Sequence, residues 1–164
     1  MKKALIALIV IFIIIAVFFA AQKQKEEPVA DNQKEESMAV KVFFGNSEKN
    51  IEAVCEKVFP IERAIPRAEA VARASLEELL KGPTPEEETK GFFTNINEGV
   101  RVQSLVIENG TAKVDFNEQL EFQVGGSCRV AAIRAEITET LKQFSAVENV
   151  LISVNGRTED ILQP

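Results

Sequence analysis

The sequence predicts a two-layer α+β sandwich: a mixed or mainly antiparallel sheet with two helices on one face, in the order ββαββαβ, preceded by one N-terminal transmembrane helix. Three observations carry this. An unbroken apolar run occupies Ala4–Ala21. Two later stretches repeat apolar residues at spacings of three and four, the mark of helices with one buried face. Around them lie short runs rich in β-branched and aromatic residues, separated by Gly, Asn and Pro turn signals.

Lys2 and Lys3 precede the apolar run, whose eighteen residues reach roughly 27 Å at ~1.5 Å per residue, about the hydrocarbon thickness of a bilayer. A soluble core helix would carry a polar face, and this run has none. It reads either as a cleaved signal peptide or as an uncleaved signal anchor. Cleavage wants small residues three and one before the cut, and cuts after Ala20 or Ala21 put Phe18 or Phe19 there. The run is also longer than a usual signal-peptide core of ~7–15 residues. No Cys follows it directly, so a lipid anchor is not expected. The expectation is an uncleaved anchor over residues 1–21, in the cell membrane through residues 4–21. Its positive N-terminus stays cytoplasmic and the rest of the chain lies outside. Gln22–Met38 holds only three apolar residues and reads as a flexible polar stalk. Ala39–Pro164 is then the folded domain, with 14 basic and 20 acidic residues.

Within that domain, Val40–Phe44 and Ala53–Phe59 have strand composition, with Gly45-Asn46-Ser47 as a turn between them. Pro66 suits a first helical position. Ala68, Val71, Ala72, Leu76, Leu79 and Leu80 follow at helical spacing, and Gly82-Pro83 stop the helix. Thr84–Lys90 reads as a charged loop. Val100–Phe116 reads as a hairpin turning at Asn109-Gly110, a pair suited to two positive φ angles. Ala112, Val114 and Phe116 alternate with polar residues on the return strand, which gives one buried and one wet face. After Gly125-Gly126, Ser127 is placed as an N-cap. Val130, Ile133, Ile137, Leu141 and Phe144 form the second helical stripe. Val150–Val154 is a final strand, followed by a turn at Asn155-Gly156 and a short tail, Thr158–Leu162, that packs or adds edge structure.

Several of these strings resemble the germane (GerMN) domain family of sporulation and germination proteins. They are the opening strand Val40–Phe44, the segment Val58-Phe59-Pro60-Ile61-Glu62-Arg63 and the helix end Leu79-Leu80-Lys81-Gly82-Pro83. The hairpin Ile107–Asp115, the last helix and the strand and turn Val150–Gly156 complete the set. The resemblance spans Ala39–Pro164 and rests on order and spacing. It implies an envelope-attached, outward-facing domain that is not an enzyme, similar to the ring-building modules of trans-envelope complexes. One such domain fits this chain.

Composition excludes much on its own. The chain of 164 residues has no His, Trp or Tyr, and its net charge is −6. Without His there is no imidazole base, zinc ligand or histidine pH switch. An acidic chain lacks the basic footprint that nucleic acid requires. Cys55 and Cys128 are a disulfide candidate outside the membrane. The alternatives are two buried thiols, or a reactive Cys128 whose pKa is lowered by a helix N-terminus and Arg129. Gly125-Gly126-Ser127 reads as turn and cap, because it lacks a phosphate-loop lysine. Glu86-Glu87-Glu88 read as a solvated loop. Asp115, Glu118 and Glu121 lack the spacing of a calcium loop. Phe92-Phe93 either pack in the core or mark a partner surface in part. Arg129, with Arg63, Arg67, Arg73 and Arg134, is an interface candidate or a surface ion-pairing group.

No catalytic residue, metal or cofactor is expected. The leading expectation is a non-enzymatic, membrane-anchored, extracytoplasmic protein-interaction or scaffold domain of the bacterial cell envelope, binding other envelope proteins or itself. A ligand-binding module for a cell-wall fragment or small anion is the alternative, and an enzyme using Cys128 a third.

Overall fold

The computed structural model describes residues 37–163. The apolar run 4–21 and residues 22–36 of the stalk lie outside the described residues. Among the described residues no helix is long and apolar enough to cross a membrane. The chain folds into β1 (Ser37–Asn46), β2 (Phe59–Pro66), α1 (Val71–Leu79), the short α2 (Pro85–Glu88), β3 (Phe92–Phe93), β4 (Val102–Glu108), β5 (Thr111–Phe116), a 3-10 turn at Glu118–Leu120, α3 (Ser127–Lys142) and β6 (Asn149–Val154).

The α+β class is as expected, but the expected single sheet is two three-stranded sheets, ordered β2-β1-β3 and β4-β5-β6. The first is antiparallel; in the second, β5 and β6 run parallel. The reason lies at the free edge of β1. The Phe43 amide donates to Thr140 Oγ1 at 3.1 Å and the Lys41 amide to Gln143 Oε1 at 2.8 Å. Gln143 Nε2 donates back to the Lys41 carbonyl at 2.6 Å. Side chains of α3 thus fill the edge where a further strand would pair. β3 reaches β1 only at Gly45 and Asn46.

The core joins both sheets. α3 packs on β1 and β6, and α1 on β1 and β4. Val42, Phe44, Leu76, Leu79, Val114, Phe116, Ile133, Ile137, Leu141 and Val154 are fully buried between them. The helical stripe Val130, Ile133, Ile137 and Leu141 therefore faces inward as expected, with Phe144 half-buried beyond the helix end.

Four element assignments are corrected. The second strand is Phe59–Pro66, not Ala53–Phe59. Residues 47–58 form a loop, pinned where the Asn50 side chain donates to the Val54 carbonyl (2.8 Å) and accepts from its amide (3.1 Å). Pro60 and Pro66 argue against a strand, yet they pair with Phe43 and Ser37, where the β2 backbone faces away from β1. Neither proline removes a ladder bond there, so an edge strand accepts both. Pro66 thus ends β2, and α1 starts at Val71. The charged loop contains a helical turn: Thr84 caps it, accepting from the Glu87 amide while the Glu87 carboxylate accepts from the Thr84 amide. Gly126, not Ser127, is the N-cap of α3.

The hairpin forms as expected. Asn109 (φ 49°) and Gly110 (φ 74°) are both left-handed, and Glu108 faces Thr111 across the two-residue turn. β1 begins at Ser37, inside the expected stalk. In the tail, Ile161 and Leu162 are buried.

Candidate functional site

Cys55 and Cys128 form a disulfide, with Cα atoms 5.0 Å apart. Cys55 comes from the 47–58 loop and Cys128 from the first turn of α3, so the bond ties the loop to the helix. Both thiols are consumed, which removes the reactive-Cys128 alternative. Beside the bond lies a groove of about 210 Å³ lined by Val54, Val58, Phe93, Asn95 and Ala132.

Phe92 and Phe93 divide as strand neighbours do, one to each face of β3. Phe92 is buried, and the Lys49 ammonium sits 4.7 Å from its ring centre. Phe93 is 44% exposed. Its ring lies on Gly45, where any Cβ would come within 2.6 Å of it. Gly45 is therefore a seat for the ring. Val54 (41% exposed) and Ile51 (90%) stand on the same loop as Cys55. The structure thus gathers Cys55, Cys128 and Phe93 around one apolar groove, and leaves Phe92 out of it.

Arg129 is used internally. Its guanidinium donates to Asn97 Oδ1 at 2.7 Å and to the carbonyls of Asn95 (3.4 Å) and Gln123 (3.5 Å). Two turns further along α3, Glu136 is fully buried. Its carboxylate accepts from Thr94 Oγ1 (2.5 Å), the Asn95 amide (2.9 Å) and Asn95 Nδ2 (3.0 Å). Burial pushes its pKa up to about 6, against the pull of those three bonds. Together Arg129 and Glu136 fasten the 94–97 segment that follows Phe93 and so set the groove's far wall.

A second charged centre supports the opposite side. Arg63 of β2 donates to Glu78 of α1 (3.1 Å), to both Glu87 oxygens and to the Gly82 carbonyl (3.0 Å), with its guanidinium over the Phe44 ring. Burial alone would raise both carboxylates. Hydrogen bonds from Lys81 and Arg63 at Glu78, and from the Thr84 amide and Arg63 at Glu87, outweigh it and hold both below the usual carboxylate range. The Glu86–Glu88 run is therefore not simply solvated, since Glu87 turns inward.

Asp115, Glu118 and Glu121 each have a donor from the β6 end: Ser153 and the Gly156 amide, Asn155, and Arg157. Among the described residues no cluster of three or more acidic or Cys side chains is placed to hold a metal ion.

Residues 41–160 match the Germane family model, described as sporulation and spore germination. The chain belongs to the Germane family. Its fold is similar to the first GerMN domain of the sporulation protein GerM from Bacillus subtilis. That match has TM-score 0.53 and 21% identity, over 74% of this chain and 85% of that one. The tandem GerMN domains of the same protein align with TM-score 0.55 and 20% identity over 75% of this chain. The alignment spans 41% of the tandem chain, so this chain corresponds to less than half of it. A putative lipoprotein from Clostridium perfringens aligns with TM-score 0.50 and 16% identity, over 77% of this chain and 80% of that one. No curated protein sequence matches.

Arg63 and Glu136 were not singled out as buried charges by sequence reasoning. The signal for each is present: Arg63 interrupts the alternation Ile61, Arg63, Ile65, and Glu136 falls on the stripe between Ile133 and Ile137.

Proposed function

We propose that this Germane protein is a non-enzymatic interaction domain, held outside the cell membrane by residues 4–21, that binds another envelope protein through the groove beside its disulfide. The observation that carries this is the exposure of Phe93 on its Gly45 seat. An aromatic ring held open on a braced wall costs little further entropy on binding and supplies apolar area to a partner. Of the polar side chains lining the groove, Asn50 and Asn95 are committed to internal bonds, while the exposed Lys57 reaches only Glu52 at 3.8 Å, so recognition rests on shape and apolar contact with one cation at the rim. Family membership, with a sporulation protein and a putative lipoprotein among the similar folds, supports an envelope setting.

Two measurements test the reading. A photo-crosslinking residue in place of Phe93, in the full chain in its own membranes, is expected to capture a defined second protein, and Phe93→Asp to weaken that protein's co-purification with the chain. Recovery of monomer alone under all conditions would sink the interaction reading. Protease added outside intact spheroplasts is expected to digest residues 37–163, and full protection would overturn the proposed orientation.

A further inference from the structure

The Cys55–Cys128 bond lies where a thiol can reach it. Cys128 is exposed and Cys55 half-buried. The loop that the bond holds has little else to hold it. Its ends are fixed: Asn46 Oδ1 accepts from the amides of Glu48 (3.0 Å) and Lys49 (2.8 Å), and Phe59 pairs with Phe44. Between these ends, every hydrogen bond and ion pair that residues 51–58 make among the described residues stays inside the loop. Asn50 bonds Ala53 and Val54, Val54 bonds Lys57, and Glu52 pairs with Lys57. Val54 and Val58 of the loop, with Phe93 and Ala132, line an open groove of about 210 Å³ rather than a packed interface. Ala53, two residues before Cys55, is also held left-handed at φ 52°, a conformation costly for alanine. The disulfide is thus the tie that keeps the middle of the loop at α3.

We propose that this disulfide is a redox latch on the Phe93 groove. Oxidised, it holds the wall that Val54 and Val58 provide; reduced, it frees residues 51–58 and the groove loses that wall. The inference rests on the reading of the groove as the partner site. The reductant is a dithiol, of the class of the thiol–disulfide oxidoreductases. One of its sulfurs, as thiolate, attacks the exposed Cys128 Sγ; the S–S bond breaks, and Cys55 leaves as thiolate and takes a proton. The second sulfur, deprotonated, attacks the first within the mixed disulfide. Cys128 then leaves as thiolate beside the free N–H groups of the first turn of α3, which stabilise the anion until a proton arrives. The dithiol ends as a disulfide, and its two electrons and two protons end on Cys55 and Cys128.

The probe is dithiothreitol, a small dithiol, added without denaturant to the full chain in mild detergent. It is expected to reduce the bond, read by alkylation of Cys55 and Cys128. Hydrogen exchange is expected to rise in residues 50–58 alone, while β1, β5 and α3 stay protected. In membranes, a photo-crosslinking residue in place of Phe93 is expected to capture its second protein about tenfold less after reduction, the effect of one lost apolar wall, and to regain capture on reoxidation with diamide. Cys55→Ser/Cys128→Ser is expected to capture at the reduced level with or without dithiothreitol, which separates an effect on this chain from one on the partner. A bond that resists dithiothreitol until urea is added overturns the latch. So does exchange that rises over the whole domain, because the bond would then hold the fold rather than the groove. Equal capture by the oxidised and reduced chains also overturns it and leaves the partner reading standing. Capture by neither form overturns the partner reading, and the latch with it.

Discussion

On the outer edge of the β2-β1-β3 sheet, Pro60 and Pro66 withhold two of the donors that a new strand would need. The inner edge of β1 is filled by Thr140 and Gln143. On the β4-β5-β6 sheet, Leu105 and Ile107 keep their outward amides and carbonyls, and Val106 and Leu151 stand exposed on the outer face. Both sheets share one core and neighbouring helices, so the contrast does not come from packing. It comes from a few side chains that end hydrogen bonding at one sheet and not at the other. Natural sheets blunt edges with proline and charge because an open edge invites pairing.

The largest expected disturbance is on the guarded side. The disulfide closes a separation of 73 residues, worth about 4 kcal/mol on the chain-entropy model. Cys55→Ser/Cys128→Ser is expected to lower the urea midpoint by a matching amount, and reductant to do the same to the parent chain. An unchanged midpoint would mean the loop is held by Asn50 and packing alone. Next in size is Arg63→Met. It leaves Glu87 without its cation and Glu78 with Lys81 alone in a partly buried site, which is expected to cost about 2 kcal/mol. Arg63→Met/Glu78→Gln/Glu87→Gln is expected to recover part of the loss. If the single change costs nothing, Arg63 is not the hub of that sheet.

Glu136 joins the two regions, since it ties α3 to the segment between β3 and β4, and it sets a pH dependence. Its folded pKa of about 6 lies above the unfolded value of 4.5. Between these values the folded state binds the proton that the unfolded chain has released. Its term therefore favours folding at low pH, fades as pH rises from 4.5 to 6, and is lost above that. Glu78 and Glu87 act with the opposite sign, because their folded pKa values are lowered. Their stabilisation is present above 4.5 and is lost as pH falls through the folded values. Glu136→Gln is expected to stabilise the domain by about 2 kcal/mol at pH 8 and to leave it nearly unchanged at pH 4.5. Urea titrations at the two pH values read this directly. An equal effect at both would show that the substitution acts through packing rather than charge.

What the sequence made legible was local. Asn109-Gly110 carries its own turn chemistry, and the stripe on α3 repeats within one helix. The split of Phe92 from Phe93 was not legible, since no strand was expected there and the alternation appears only once β3 is in place. The division into two sheets was not legible, because it depends on Thr140 and Gln143 meeting backbone 97 and 102 residues away. Strand β2 was misplaced for a related reason. Pro60 counts against a strand until its register shows that its missing N–H points outward. At the candidate site, compartment chemistry suggested the Cys55–Cys128 bond, but nothing local told that Arg129 would turn inward to Asn97.

The smallest expected effect on stability is the sharpest test of the comparison. Pro60→Val restores an outward N–H to β2 without touching its bonds to β1, since residue 60 faces away from that strand. Folding stability is expected to change by no more than about 0.5 kcal/mol, as for an exposed edge position. Association is expected to change much more. A β-branched residue with a free donor, next to the outward backbone of Glu62 and Ala64, rebuilds the template that proline interrupts. Sedimentation of the full chain in detergent should show the variant pairing at concentrations where the parent chain does not. If Pro60→Val leaves association untouched, guarding by proline is not what separates the two sheets, and the exposed charge of Glu62 on β2 would be the next feature to neutralise.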